Sequence, residues 1–479
     1  MVHVGSAREI EGRTGFAHLF EHLLFLESEN LGKGGLDKMS ARIGGSGANG
    51  STSPDRTNYL QTVPKDALEK MIWAEADKLG WFINTVTSSV LEKEKQVVKN
   101  EKRQGVDNRP YGHNQYVIGK NLYPKNHPYN WQVIGSLEDL QNATLEDVKS
   151  FFKKWYVPNN STLVLSGDLD IDQAKKWVHK YFDEIPRGEE IYPLEKKTEL
   201  LSENKLLYYE DNFARVPQLT MVWPTVERYH PDSYALEILC EYLTDGKLAP
   251  LNKVLVDELK TTSYTSMYNY GYELAGRTQL SVRAFNNINL ESVKGGINKA
   301  FDKFELEGIS EKDLNRIKAG QETSFYRSLS SVIGKGTSLA SYNTYTGNPG
   351  YLNEDISKKL SVSSKDVMDV FNRYIKNKNY VATSFVPKGA KSLALKESKL
   401  ADVIEEKIIL GAEASFISDS SQEYAKTPSS FDRSVEPEYG KTPSLVIPDV
   451  YKDNLSNGLS IYGIYNNEVP LVNFNLTIE

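Results

Sequence analysis

The chain has 479 residues, 39% of them hydrophobic and 25% charged, with a formal net charge of −7. That balance is ordinary for a water-soluble chain with room for two or three domains, and without a basic run it argues against nucleic-acid binding. The single cysteine, Cys240, excludes an internal disulfide framework, and no apolar run reaches the roughly 18 residues that a membrane span needs.

Residues 1–6 (Met-Val-His-Val-Gly-Ser) read as the middle of a strand rather than the opening of a domain. Residues 15–25 follow as a buried helix carrying three residues that an apolar helix has no packing reason to hold. His18 and His22 are four apart and share a face, so two imidazoles could grip one divalent ion. Glu21 lies beside them, near enough to polarise a water on that ion. The pattern H-x-x-E-H inverts the zinc-protease motif H-E-x-x-H. Histidine is scarce, 7 in the whole chain, and a lone one is ordinarily a core residue, so a third ligand has to be found. A structural zinc would want four closed ligands, usually with cysteines; a catalytic zinc wants three and an open position.

Residues 43–52 are rich in Gly and Ser and read by composition as a loop. Residues 57–63 alternate like a strand, which makes the preceding segment a candidate hairpin partner. Residues 66–82 are an amphipathic helix with Leu68, Met71, Ile72, Ala76 and Leu79 on one side. The charged helix at 92–103 offers the donor: Glu94 and Glu101, seven apart, share a face with Val97 and Val98 close by. One can ligate while the other holds a histidine N–H from outside.

These stretches, in this order, resemble the pitrilysin/insulinase family of zinc metallopeptidases, the inverzincins. The likeness is carried by His18-Leu19-Phe20-Glu21-His22, by Val4-Gly5-Ser6 and by Ala48-Asn49-Gly50-Ser51-Thr52 with Thr57-Asn58-Tyr59. Further along, His127-Pro128-Tyr129 and residues 156–160 (Tyr-Val-Pro-Asn-Asn) match as well. The resemblance implies Glu101 as third ligand; 101 − 22 − 1 gives 78 intervening residues, slightly more than the commonest family spacing. It also implies Glu94 as the residue that orients a ligating imidazole, and Ala48, Asn49, Gly50, Ser51 and Thr52 as an edge strand that receives the substrate peptide. Small side chains there would let a peptide backbone approach closely.

Ser136 and Thr144 each precede acids two and three residues on, close to a capping box, so each reads as a helix start. Residues 161–167 read as a buried strand. The block from Asp147 to Asn160 recurs, with a one-residue slip, from Asp366 to Lys378. A period of about 218 residues implies two homologous α/β units rather than a short-period solenoid. In the second unit, 232–244 and 290–306 read as helices and 264–272 and 278–285 as strands, with Tyr264, Tyr268, Tyr270 and Tyr272 read as strand packing. It has no histidine pair. His113, His127, His179 and His230 are assigned to loops and helix ends, not to the metal. Residues 417–443, rich in Ser, Pro, Glu and Thr, read as a linker. Residues 455–465 and 471–478 read as two opening strands of another unit.

The expected fold is α+β: two homologous α/β rolls of mostly antiparallel sheet covered by helices, a linker, and the start of a third unit. The boundaries are 1–195 for the metal-bearing domain, 196–395 for the second, 396–450 for the linker and 451–479 for the third. On this reading the chain is the N-terminal half of a longer two-half enzyme, cut at both ends, lacking its first strand and any targeting segment. The resemblance implies a zinc endopeptidase with one Zn2+ per chain acting on peptides or small unfolded proteins. The chamber would be closed by a C-terminal half in cis or by a partner subunit. The alternative is a non-catalytic family subunit serving as scaffold or processing partner, in which the metal residues are eroded; here all four are present. Compartment is not fixed by this N-terminus; if a signal peptide preceded it, a periplasmic or other extracytoplasmic site is favoured.

Overall fold

A computed structural model of the protein describes residues 1–404, 424–444, 446 and 448–478. The part of the expected linker between 405 and 423, and the final Glu479, lie outside the described residues. The first unit is mostly helical. It runs α1 (Phe16–Leu26), α2 (Gly35–Arg42), the hairpin β1 (Asn49–Thr52) and β2 (Thr57–Leu60), then α3 (Leu68–Gly80) and α4 (Ser88–Lys102). Beyond these lie α5 (Asn114–Leu122), α6 (Leu137–Asn142), α7 (Leu145–Trp155) and α8 (Ile171–Phe182).

The second unit begins with β3 (Lys205–Asp211), β4 (Gln218–Thr225), α9 (Pro231–Thr244), the single turn α10 (Pro250–Asn252), β5 (Thr262–Gly271) and β6 (Gly276–Ala284). Five helices follow: α11 (Leu290–Glu307), α12 (Glu311–Ser328), α13 (Val332–Thr346), α14 (Leu352–Ser361) and α15 (Ser364–Val370). β7 (Val381–Pro387) and the short β8 (Lys399–Leu400) complete a sheet of order β5-β6-β4-β7-β3-β8. Its pairings are antiparallel except where β3 meets β7 and β8. Every residue of the central strand β4 is buried, as a strand flanked on both sides and covered by helices must be. Helix-borne Leu236, Leu239, Ile297 and Phe304 pack with Leu219, Met221 and Leu280 of the sheet in one apolar core. The α+β architecture of helix-covered rolls is therefore as expected, and so are both helix starts. Thr144 and Asp147 form a full capping box on α7, and the Ser136 side chain accepts from Asp139 N on α6.

Four expected strands differ from expectation: three are not strands and one is shortened by a turn. At residues 1–6 only Val2 makes bridges, to Thr57 and to Ser161, and Ser6–Arg8 turns into a 3₁₀ helix. Residues 161–167 form no ladder beyond the exchange between Met1 and Thr162, with N···O distances of 2.8 and 2.9 Å. Past that point the segment borders a cavity of about 400 Å3, lined also by Tyr59, Gln61, Leu79 and Val332, so its main chain has packing on one side and no strand to pair with. The 455–465 stretch is broken by Asn457-Gly458, with Gly458 at φ +91°, into a turn between β9 (Val450–Asn454) and β10 (Ser460–Ile464). Asn-Gly is a strong hairpin signal, so the alternation expected of one strand belongs to a turn and its exit. Residues 471–478 keep their alternation but pair with nothing among the described residues, and Phe474 is 94% exposed.

The described part of the linker does not float free. Residues 424–440 lie along the first unit. Arg433, 2% exposed, sits over the Trp81 ring at 3.3 Å from its centroid and donates to Glu184 (2.6 Å) and to the Tyr181 carbonyl (2.8 Å). Trp73 Nε1 donates to the Arg433 carbonyl, and Thr427 bonds Glu29 through both its N–H and its hydroxyl.

Candidate metal centre

α1 carries two stripes. Phe16, Leu19, Phe20 and Leu23 recur at helical spacing and are all but fully buried. Phe20 meets Phe151, Phe152 and Tyr156 with ring centroids 5.3, 6.0 and 5.3 Å away. Each such ring withdrawn from water contributes about 1.5–3 kcal/mol, enough to fix the rotation of the helix about its axis. His18, Glu21, His22 and Phe25 occupy the other stripe and are only partly covered. The start of α1 is held from outside. Glu9, buried, accepts from Ala17 N (2.8 Å) and Gly15 N (2.9 Å), and burial pushes its carboxyl up to about 8 against those two donors. Gly15 stands at φ +91°, and a Cβ there would meet the Ile134 carbonyl oxygen at 2.9 Å, so only glycine fits this entry.

α4 begins with Thr87 accepting from Val90 N and runs alongside α1. Val98 is fully buried, which turns Glu94 inward; Val97 is 41% exposed and takes no part in the packing face expected of it. Glu94, 5% exposed, places Oε1 3.0 Å from His22 Nδ1. Glu101 lies two turns further on, its side chain 49% exposed. Its Oε2 is 3.2 Å from His22 Nε2 and 3.6 Å from His18 Nε2. Among the described residues His18, His22 and Glu101 form the one cluster able to offer three ligand atoms to an ion, all within 4.8 Å of one another. Bonds of about 2.0–2.1 Å to a tetrahedral ion require ligand atoms about 3.3 Å apart, so the two measured separations fit.

The electrostatics prepare the two imidazoles differently. Burial, helped by the neighbouring His22 and opposed by Glu101, lowers His18 to about 4, so it is neutral with a free lone pair. Burial also pulls His22 down, but the hydrogen bond and charge of Glu94, with Glu101 and Glu21, outweigh it and raise its pKa above the ordinary imidazole value. The Glu94 carboxylate accepts the Nδ1 proton and leaves Nε2 facing Glu101.

Glu21 faces the hairpin. Its Oε2 accepts from Thr52 Oγ1 at 2.5 Å, and Gly50 lies against its other oxygen. β1 pairs with β2 in the register Asn49↔Leu60, Gly50↔Tyr59, Ser51↔Asn58 and Thr52↔Thr57, and its other edge is unpaired among the described residues. Four of the five residues expected to form an edge strand thus do so, and Ala48 immediately precedes them. His113, His127, His179 and His230 stand apart from the cluster: His127 accepts from Tyr129 N, and His230 caps α9. Glu9 and the Thr52–Glu21 contact are what the sequence did not disclose. A carboxylate several residues ahead of a helix leaves no periodic trace, and the partner of a hydroxyl is a matter of tertiary approach.

Tandem helix-covered rolls, with a His/His/Glu cluster on one of them, define a class of protein on which the comparisons converge. A family profile described as "Insulinase (Peptidase family M16)" matches residues 1–125, and one described as "Peptidase M16 inactive domain" matches residues 142–321. The chain belongs to the M16, or pitrilysin/insulinase, superfamily of peptidases. It is 28% identical over 380 residues to zinc protease PqqE of Helicobacter pylori (strain ATCC 700392 / 26695), covering 78% of this chain and 84% of that protein. To mitochondrial-processing peptidase subunit beta of Saccharomyces cerevisiae (strain ATCC 204508 / S288c) it is 26% identical over 193 residues, 40% of this chain and 41% of that one. The crystal structure of a protease from Helicobacter pylori superposes with a TM-score of 0.75 at 26% identity, covering 81% of this chain and 92% of that one. The periplasmic protease PqqL from Escherichia coli shares the fold, at TM-score 0.66 and 18% identity, over 97% of this chain and 52% of that one.

Proposed function

We propose that this chain is a zinc-dependent endopeptidase that hydrolyses peptides or small unfolded proteins. The observation that carries the proposal is the convergence of His18, His22 and Glu101, with Glu101 Oε2 3.2 Å from His22 Nε2 and 3.6 Å from His18 Nε2, and with Glu21 beside them. His18, His22 and Glu101 would hold one zinc ion, leaving a fourth position open. When bound, zinc lowers the pKa of a coordinated water toward neutral and polarises a carbonyl oxygen. Glu21 accepts the proton of the attacking water and returns it to the leaving amine. Glu94 fixes the tautomer of His22. Ala48 to Thr52 receive the peptide by strand addition at the open edge of β1.

The second unit carries no comparable cluster among its described residues and matches the inactive-domain profile, which fits a supporting role for it. A complementary half, in cis or from a partner subunit, closes the chamber and supplies the donors that stabilise the oxyanion. Where a signal peptide precedes this sequence, a periplasmic or other extracytoplasmic location is favoured, and the periplasmic protease PqqL of Escherichia coli, which shares the fold, supports that reading. The deciding experiment measures zinc per chain and cleavage of a quenched peptide for the wild type and Glu21→Gln. Glu21→Gln should keep its zinc and lose nearly all turnover. A wild type without zinc, or a Glu21→Gln variant with substantial turnover, overturns the assignment. A fractionation that finds the mature protein in the cytoplasm overturns the location.

A further inference from the structure

The two residues of β1 that touch Glu21 are also the two whose main chain points away from the hairpin. Val2 N donates to Thr57 O at 2.8 Å and Thr57 N to Val2 O at 3.0 Å, so the main-chain groups of Thr57 are turned away from β1. In an antiparallel ladder these directions alternate, and paired residues share them. Thr52, opposite Thr57, and Gly50, opposite Tyr59, therefore aim their N–H and C=O groups at the unpaired edge, while Asn49 and Ser51 bond inward to β2. Residues two apart on a strand also share a face. On that face Thr52 Oγ1 donates to Glu21 Oε2 at 2.5 Å. A Cβ on Gly50 would lie 2.9 Å from Glu21 Oε1 and 3.0 Å from Phe25 Cε2.

We infer that Thr52 is a positioning residue for Glu21, with Gly50 as the gap that lets the carboxylate lie flat against β1. One short strand thus both docks the peptide and aims the base. The Thr52 hydroxyl fixes one carboxylate oxygen, and the bare α-carbon of Gly50 leaves the other free to reach the attacking water. A peptide added to the edge would bond the main chain of Gly50 and Thr52, drawing the Gly50 N–H from the Asn49 Oδ1 that now accepts it at 2.9 Å. Docking in register and orientation of the base then become one event, and a peptide bound out of register would meet a less well-aimed carboxylate. This rests on Glu21 being the base and deepens that assignment.

The test compares Thr52→Val, Thr52→Ser, Gly50→Ala and Glu21→Gln in the full chain, with the wild type as reference and any complementary half supplied equally to all. Zinc content and thermal unfolding are measured beside kcat and KM on a quenched peptide. Loss of a hydrogen bond to a charged group should lower kcat of Thr52→Val by about tenfold to a hundredfold with little change in KM or zinc content. Thr52→Ser, which keeps the hydroxyl, should restore kcat to within about threefold of wild type. Gly50→Ala should lower kcat in the same way, because the carboxylate must move. Wild-type kcat in Thr52→Val, failure of serine to rescue it, or loss of zinc in place of turnover would each overturn the inference. The two possible failures separate cleanly. Turnover surviving Glu21→Gln removes the base itself, whereas a dead Glu21→Gln beside an unimpaired Thr52→Val removes only the strand's hold on it.

Discussion

The two rolls use their interiors differently. In the second, six strands form one sheet, β4 is buried along its whole length, and the buried polar side chains are mostly hydroxyls and amides such as Thr220, Thr278 and Gln218, with Asp211 and Glu273 the buried charges. In the first, the sheet is reduced to the four residue pairs of β1 and β2, and the helices also bury Glu9, Asp77, Lys95 and Glu94. Burying polar groups costs free energy unless each finds a partner, so a unit that does so gives up stability for placement. Asp77 shows how the cost is offset: it accepts from the Ser28 hydroxyl and from Asn30 through both main chain and side chain. The contrast is between a unit built to hold its shape and a unit built to hold a few side chains.

The widest separation of the two should come from matched core truncations. Phe20→Ala in the first unit and Phe304→Ala in the second should each cost about 3–5 kcal/mol. Phe20→Ala alone should also weaken metal binding, because Phe20 seats the helix that carries His18 and His22. Thermal unfolding paired with zinc titration reads both effects, and equal loss of zinc affinity in the two variants would erase the distinction.

A smaller effect is expected from Glu94→Gln, which keeps the volume but not the charge beside His22 Nδ1. Zinc affinity should fall about 10–100-fold with the fold intact, read by competition with a chelator. An unchanged affinity would make Glu94 a packing residue like any in the second unit.

The repeated block offers a case in which the units should agree. α7 opens with the Thr144/Asp147 capping box and α15 with the Ser363/Asp366 one. Thr144→Ala and Ser363→Ala should each cost about 1 kcal/mol by denaturant titration, and a large inequality would show that one box serves more than its own helix.

The smallest effect concerns pH. Burial, the largest single influence, raises the pKa of Glu184, but its hydrogen bonds to Ser429, Ser430 and Arg433 together outweigh it and hold the pKa down to about 2. A carboxyl depressed in the folded state contributes stability that is full above its unfolded pKa and is lost as pH falls through the folded one. The grip of residues 424–440 on the first unit should therefore loosen between about pH 4.5 and pH 2, while the second unit, which they do not touch through Glu184, responds separately. Tryptophan emission reports it, since Arg433 lies over Trp81; a flat signal across that window would count against the contact.

How much of this the sequence disclosed follows from the range of each interaction. The H-x-x-E-H helix, the Glu94/Glu101 face and the capping residues are short-range patterns, and the helices lie where the spacing puts them. The hairpin before Thr57 was legible because β2 alternates. Residues 161–167 were not, because apolar composition announces burial but not a pairing partner, and here one side is a cavity. The Asn457-Gly458 turn was legible and was overridden by the longer alternation around it. The attachment of 424–440 was not, since its anchors, Arg433 on Trp81 and Thr427 on Glu29, join residues far apart in the chain.

That attachment changes what a break in the chain would mean. Suppose a site-specific protease target were engineered between residues 404 and 424 and then cut. The downstream piece would still be held by Arg433, Thr427 and the pairing of Glu436 with Arg42 and Lys70. The severed halves would co-migrate through a sizing column at neutral pH, behaving as two chains of one particle. Residues 424–440 are accordingly moored to the roll that carries the cluster, while beyond them Glu468 reaches back to Lys335 of the other roll.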